Sequence, residues 1–375
     1  MQATEPIRET ERAAIRPVDD RFAANDVRLS PRGWLVAAVL TIAAFWIIPL
    51  VWQSLEPLEM GADDRIPYRL GNDYWQFERT CRQACRSDAT ILIGDSVMWG
   101  HYVDSHQTLS HCLNESSPGR TYANLGVDGI HPVALYGLVT HYAGAIRDTR
   151  VIVNCNLLWI SSPQHDLSSD KEARFNHPAL VPQFACRIPS YRATVSERLG
   201  IVVARHFTFL QWADHVRMTY FDSEGLADWT LEHPYENPLS RVTLELPSPD
   251  EPPSPVPDAR PWTEKHMRQI NPQWVPLEDS LQWRFFCRTI DLLRKRGNRV
   301  FVIIGPLNEH MLTQRGLAGY TERQAAVAAW CAQQGIPHAV ADALPSAAYA
   351  DLSHPTAEGY ALLAKQLMSE ETFRD

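Results

Sequence analysis

The sequence predicts an α/β protein, a three-layer sandwich in which a five-stranded parallel sheet is covered by helices on both faces. Two observations carry this prediction. Short apolar runs with the length of buried strands recur at 90–93, 122–125, 151–155, 299–304 and 338–341. Amphipathic stretches at 132–146, 281–296 and 321–334 lie among them, with Gly297 and Gly335 as helix stops. Strands that alternate with helices pair in parallel, because each crossover helix carries the chain back over a face of the sheet.

The chain before the first strand divides by composition. Residues 1–32 are polar, carry both charge signs and lack an apolar period, as a cytoplasmic tail would. Residues 33–53 are expected to form a transmembrane helix, since 34–52 contain no charge and span one membrane crossing, with Trp34 and Trp52 suited to the two interfaces. Pro49 is expected to kink or end that helix near its far side. The tail before it is long and no small-x-small site follows, which argues for a retained anchor over a cleaved signal. Arg16, Arg21, Arg28 and Arg32 precede the span and only Arg65 and Arg69 closely follow it, so the N-terminus is expected inside and the remainder extracytoplasmic, on a single-pass protein of the cytoplasmic membrane. Residues 54–88 then read as a stalk and 89–375 as the catalytic domain.

Within that domain, 161–279 is too long for an ordinary connection. Its 191–220 part looks helical and is expected to form a lid or a secondary lobe beside the active site. Its proline-rich run, 246–262, reads as an extended exposed loop.

Composition sets outer limits. A chain of 375 residues, 45% hydrophobic and 21% charged, can bury one large core. The net charge of −9, with no basic stripe, excludes nucleic acid as an expected partner. All seven cysteines follow the apolar span. An oxidising compartment would allow some to pair, Cys81 with Cys85 being the best local candidate, while Cys155 reads as a buried thiol. Neither these cysteines nor the scattered histidines make a metal-ligand spacing, and no metal or cofactor is expected.

The chemistry is concentrated at two separated points. The first strand ends in Gly94-Asp95-Ser96, after which 97–112 reads as mostly helical. That setting puts the Ser96 hydroxyl at the carboxyl edge of a sheet, where open α/β folds bind ligands. Serine is nearly fully protonated at neutral pH and needs a neighbouring base. Asp351 and His354, three apart before the last helix, form such a pair, with the carboxylate holding the imidazole tautomer that accepts the serine proton.

These two segments resemble the first and last blocks of the SGNH (GDSL-type) hydrolase superfamily, here Gly94-Asp95-Ser96-Val97 and Asp351-Leu352-Ser353-His354-Pro355. The resemblance implies a flavodoxin-like fold, a nucleophile Ser96, a base His354 and an orienting Asp351. It also implies an oxyanion hole built from the Ser96 N–H, a glycine N–H and an asparagine amide. The segment 124–129 resembles the second block, with Gly129 as the donor by register and Gly126 as the alternative. After 151–153 the family has Gly-x-Asn-Asp where this chain has Asn154-Cys155-Asn156-Leu157, so Asn156 aligns with the family asparagine and Asn154 stays a second candidate. Trp99, His131 and Asn308 each follow a block or strand end closely enough to line the pocket.

Single-span members resemble the acetyltransferases of exopolysaccharides and the D-alanyl-transfer protein of teichoic acid assembly, whose acyl groups often come through a multi-spanning membrane O-acyltransferase. The expected activity is therefore serine-dependent O-acyl transfer on a cell-envelope carbohydrate, with an acylated carbohydrate or other acyl donor as substrate. The alternatives are an SGNH esterase that hydrolyses O-acyl groups and a non-enzymatic glycan-binding envelope protein on the same fold.

Overall fold

The apolar runs pair with one another because each can bury both faces. In the computed structural model, which describes residues 29–61, 63–117 and 119–374, the strands are β1 (Thr90–Ile93), β2 (Tyr122–Asn124), β3 (Arg150–Cys155), β4 (Arg299–Ile304) and β5 (His338–Val340). They form one sheet in the order β2-β1-β3-β4-β5, parallel throughout. In chain order the helices are α1 (Pro31–Leu55), α2 (Tyr74–Arg86), α3 (Ser96–Trp99), α4 (Leu109–Ser116), α5 (Pro132–His141), α6 (Val195–His206), α7 (Thr208–Tyr220), α8 (Leu226–Glu232), α9 (Leu281–Lys295), α10 (Gln314–Gln333), α11 (Ala357–Ser369) and α12 (Glu371–Arg374).

Strand side chains alternate between two cores, as the two-residue period requires. Ile91, Ile93, Val151, Val153, Val302 and Ile304 pack with α2, α5, α9 and α10, through residues such as Phe77, Leu138, Ile290 and Val327. Leu92, Ile152, Phe301 and Ile303 point the other way, onto Val97 and Met98 of α3, Leu109 and Leu113 of α4, and Tyr360, Leu363 and Leu367 of α11. Each fully buried aliphatic side chain contributes roughly 1.5–3 kcal/mol of transfer free energy. The result is the expected three-layer α/β sandwich.

Helix starts follow local chemistry. The side chains of Thr108, Ser280, Thr313 and Thr356 each accept a backbone N–H from the first turn of α4, α9, α10 and α11. Helix α10 begins well before the amphipathic stretch at 321–334, capped by Thr313. The expected helix over 97–112 is instead two, because α3 stops at Gly100 with φ +88 and the chain turns before α4.

The chain divides into two compact units at Ile48–Pro49. The described part of the first holds most of α1, an apolar helix with a mean hydropathy of 2.4 over its best window, long and apolar enough to cross a membrane. Pro49 does not end it, and α1 continues to Leu55. The expected tail lies, up to residue 28, outside the described residues.

The second unit starts earlier than expected. Residues 54–88, read as a stalk, contribute Ile66, Leu70, Phe77 and Cys81 to the core beneath the sheet. The apolar residues of α2 recur at helical spacing, with Tyr74, Phe77 and Cys81 on one face, and it is this face that packs under the sheet. In 161–279, α7 packs on α2, and Met218 buries itself in the core. This makes the helical part a lobe seated on α2. The run 246–262 has no helix or strand and carries Trp262 back into a small core with Tyr349. All seven cysteines are free thiols, and Cys155 is buried on β3.

Candidate active site

The strand order reverses between β1 and β3, since the chain goes from β1 outward to β2 and then returns to the far side of β1. Such a switch point leaves a crevice at the carboxyl ends of the two strands. Ser96 follows β1 into that crevice as the first residue of α3, 9% exposed. The Asp95 carboxylate accepts from the Val97 N–H at 3.0 Å and caps this short helix.

The second segment enters from beyond β5. Asp351 Oδ1 accepts the backbone N–H groups of Ser353 and His354, each at 2.9 Å, which folds the four residues into one tight turn. Asn308, after β4, holds that turn from below: its Nδ2 donates to the Asp351 carbonyl at 3.0 Å and its N–H to the Leu352 carbonyl at 2.8 Å.

The two segments meet. His354 Nε2 lies 2.7 Å from Ser96 Oγ, and His354 Nδ1 lies 2.8 Å from both carboxylate oxygens of Asp351. An ionised carboxylate only accepts, so Nδ1 carries the hydrogen and Nε2 is left to accept from the serine hydroxyl. Burial alone would lower the His354 pKa, but Asp351, with Asp95 and Asp128 behind it, more than offsets this and leaves it raised. Burial would likewise raise Asp351, yet His354 and the two turn N–H groups hold it well below the usual carboxylate range.

His101 and Tyr102 complete the surroundings. The Tyr102 hydroxyl donates to Asp351 Oδ2 at 3.0 Å, and its ring meets the His354 ring edge-on at 5.3 Å. The His101 ring is 5.4 Å from that of His354 and its Nδ1 is 2.7 Å from Asp128 Oδ1. Lys265, from the long insertion, sits 4.7 Å over the Tyr102 ring. Sequence reasoning missed the pair because the helix was expected to run through them. Gly100 was the available signal, a residue that ends α3 and turns both side chains toward His354.

The oxyanion candidates separate by what already occupies them. Gly126 donates its N–H to Asn124 Oδ1 at 3.0 Å, and a Cβ there would stand 2.5 Å from the Trp99 nitrogen, so it is a close-packing glycine. The N–H groups of Gly129, at φ +69, and of Ser96 make no hydrogen bond among the described residues. Asn154 pairs with Asp95 twice, accepting its N–H at 3.3 Å and donating to Oδ1 at 3.0 Å, and it fills the space that a side chain on Gly94 would take. Asn156 gives one hydrogen of its amide to Asp95 Oδ2 at 2.8 Å and keeps the other. Trp159 Nε1 donates to the same oxygen at 2.8 Å.

Asp95 thus receives four donors and orders both the serine turn and the asparagine beside it. Converting it to asparagine would aim an amide NH₂ at groups that are themselves donors. Asp95→Asn is expected to lower stability by roughly 1–3 kcal/mol. It is also expected to cut turnover by on the order of 10- to 10²-fold, less than outright loss of an oxyanion donor. Chemical denaturation and steady-state rates on the same preparation check both; an unchanged rate would show that Asp95 only supports the fold.

The three residues expected to line a pocket do not. Trp99 is buried with its indole N–H on the Ile66 carbonyl at 2.7 Å and the Arg65 guanidinium 3.9 Å over its ring. His131 is buried and caps α5 by accepting the Ala134 N–H at 3.3 Å; burial, and His177 nearby, bring its pKa down to about 3, so it stays neutral. Asn308 is buried under the catalytic turn. Each side chain found an inward partner, which sequence proximity to a block does not reveal.

No family profile and no curated protein matches the chain. Among solved structures it is similar to a member of the lipolytic protein G-D-S-L family from Veillonella parvula DSM 2008, with a TM-score of 0.38, 12% identity, and coverage of 76% of this chain and 98% of that one. It is also similar to a G-D-S-L-family protein from Desulfitobacterium hafniense DCB-2, with a TM-score of 0.36, 10% identity, and coverage of 74% and 95%. At these identities and scores the likeness bears on neither the reaction nor the substrate.

Proposed function

We propose that this protein is a membrane-anchored serine enzyme that transfers an O-acyl group to or from an extracytoplasmic carbohydrate. The observation that carries the reading is the Ser96–His354–Asp351 array, with its 2.7 and 2.8 Å contacts, beside N–H groups that have no partner among the described residues. Ser96 Oγ attacks the acyl carbonyl while His354 Nε2 takes its proton. The negative oxygen is met by the N–H groups of Ser96 and Gly129 and the free amide hydrogen of Asn156. Collapse expels the donor alcohol, which takes the proton from Nε2, and leaves an acyl ester on Ser96. An acceptor hydroxyl, deprotonated by Nε2, then forms the product ester and frees Ser96.

In this reading, transfer to a sugar is favoured over transfer to water by the apolar helix α1 and by the long insertion. The first would hold the enzyme at an envelope surface, and the second brings Lys265 over the Tyr102 ring beside His354. A multi-spanning membrane O-acyltransferase is the proposed source of acyl groups, and α1 the proposed anchor with the folded unit outside.

The full chain in lipid nanodiscs is expected to react with a fluorophosphonate at a pH where His354 is neutral. Given an acyl donor with and without oligosaccharide, it should yield an acylated sugar by mass spectrometry. Free acid alone across all acceptors would make it an esterase; no labelling of folded protein would make it a binding protein. Protection of the C-terminal unit from protease added outside the cytoplasmic membrane would overturn the orientation.

A further inference from the structure

His101 and Asp128 form a second histidine–carboxylate pair beside the first. His101 Nδ1 lies 2.7 Å from Asp128 Oδ1, and the two side chains are 24% and 18% exposed. As at Asp351, the carboxylate can only accept, so Nδ1 carries the hydrogen and Nε2 of the neutral ring is an acceptor. That nitrogen has no hydrogen-bond partner among the described residues, and it is not shut away from solvent. Holding the ring in place uses one nitrogen and leaves the other open.

The ring is fixed against the reacting groups. The His101 N–H donates to the Ser96 carbonyl at 3.2 Å, which ties it to the nucleophile. Its ring centroid is 5.4 Å from that of His354, with the planes tilted by 36°, and the Tyr102 ring packs edge-on against both, at 4.9 and 5.3 Å. The charge around the two imidazoles is negative: Asp351, Asp95 and Asp128 all bear on His354, with the Lys265 ammonium over Tyr102. Such a field repels an anion, so the group that suits His101 Nε2 is a neutral hydrogen-bond donor, as a hydroxyl is.

From this we infer that His101 binds a second hydroxyl of the acyl acceptor: the acceptor is a vicinal diol, one hydroxyl of which attacks the acyl-enzyme while its neighbour donates to His101 Nε2. The inference rests on the acyl-transfer reading of the Ser96 site. In the transfer step the attacking oxygen bonds to the acyl carbon and its proton goes to His354 Nε2. The bond from that carbon to Ser96 Oγ breaks, and Oγ takes the proton back from Nε2. His101 exchanges no proton and acts by binding. Water has no second hydroxyl to offer, so this contact selects a sugar-like acceptor over hydrolysis.

The full chain in lipid nanodiscs, with p-nitrophenyl acetate as donor, tests this on two acceptors of nearly the same shape, 1,2-cyclohexanediol and its monomethyl ether. The ether keeps one attacking hydroxyl and has no hydrogen for His101. Ester product is measured by mass spectrometry, and the wild type is expected to acylate the diol roughly tenfold faster per hydroxyl. His101→Asn places an amide N–H where Nδ1–H meets Asp128 and has nothing at the position of Nε2. Folded by its thermal melt, it is expected to acylate the two acceptors at equal rates. Equal rates in the wild type overturn the inference without any variant, and a preference that survives in folded His101→Asn overturns it by assigning the second hydroxyl to another group. Both results leave acyl transfer standing. Free acid as the sole product from either acceptor overturns the transfer reading and this inference together.

Discussion

Replacing Ser96 with alanine is expected to lower turnover by on the order of 10⁶-fold, because every step of acyl transfer passes through its oxygen. Fluorophosphonate labelling should vanish with it. The fold should be unaffected: the hydroxyl's one hydrogen bond is to His354 Nε2, and alanine is at least as favourable as serine in the first turn of α3. The measurement is kcat with the best acyl donor, paired with a thermal melt of the same preparation. Turnover within tenfold of wild type would mean that another group is the nucleophile.

Asp351→Asn is expected to have the next largest effect, and its value is that it separates geometry from charge. The carbonyl oxygen of asparagine can still accept the Ser353 and His354 N–H groups, so the turn survives. What changes is the group facing His354 Nδ1. An amide NH₂ there favours the tautomer with hydrogen on Nε2, which cannot take the serine proton, and a loss of about 10⁴-fold in kcat follows. The pH profile carries a second signature. The wild-type His354 pKa is raised above the ordinary 6.5, so activity should fall as pH drops through a value above 6.5, where the base becomes protonated. In the variant the Asp351 charge is gone while burial still opposes the imidazolium, so the residual activity should lose its acid limb at lower pH than wild type. An acid limb that does not move would show that Asp351 does not set the His354 pKa.

Much of this site was legible before any coordinates. The five strands were visible because a strand buried on both faces must be apolar along its whole length. Ser96 and the Asp351–His354 pair were visible because each is a local pattern at a strand end or before a helix. Asp95 shows where that legibility stops. It is the residue next to Ser96, yet the partners that define its role, Asn154, Asn156 and Trp159, lie on the far side of β1 and reach it only because Ile93 pairs with Val153. The same register decides that Asn154 is spent on Asp95 while Asn156 keeps a free amide hydrogen. No spacing along the chain could make that distinction.

The errors have a common physical cause. Residues 54–88, Trp99, His131 and Asn308 were assigned from their neighbours in sequence, but their partners are remote or inward: Ile66 for Trp99, the catalytic turn for Asn308, the core under the sheet for α2. By itself the sequence determined the sheet and the apolar helix and singled out Ser96, His354 and Asp351 as candidates for a nucleophile, a base and an orienting acid, because periodicity, length and short motifs are properties of contiguous residues. Only the tertiary structure decided that the three meet within hydrogen-bond distance, that His101 and Tyr102 stand over the imidazole, and that Trp212 and His215 of α7 meet Trp52 and Glu56. Those depend on which surfaces come together when strands 32 to 149 residues apart along the chain pair and pack.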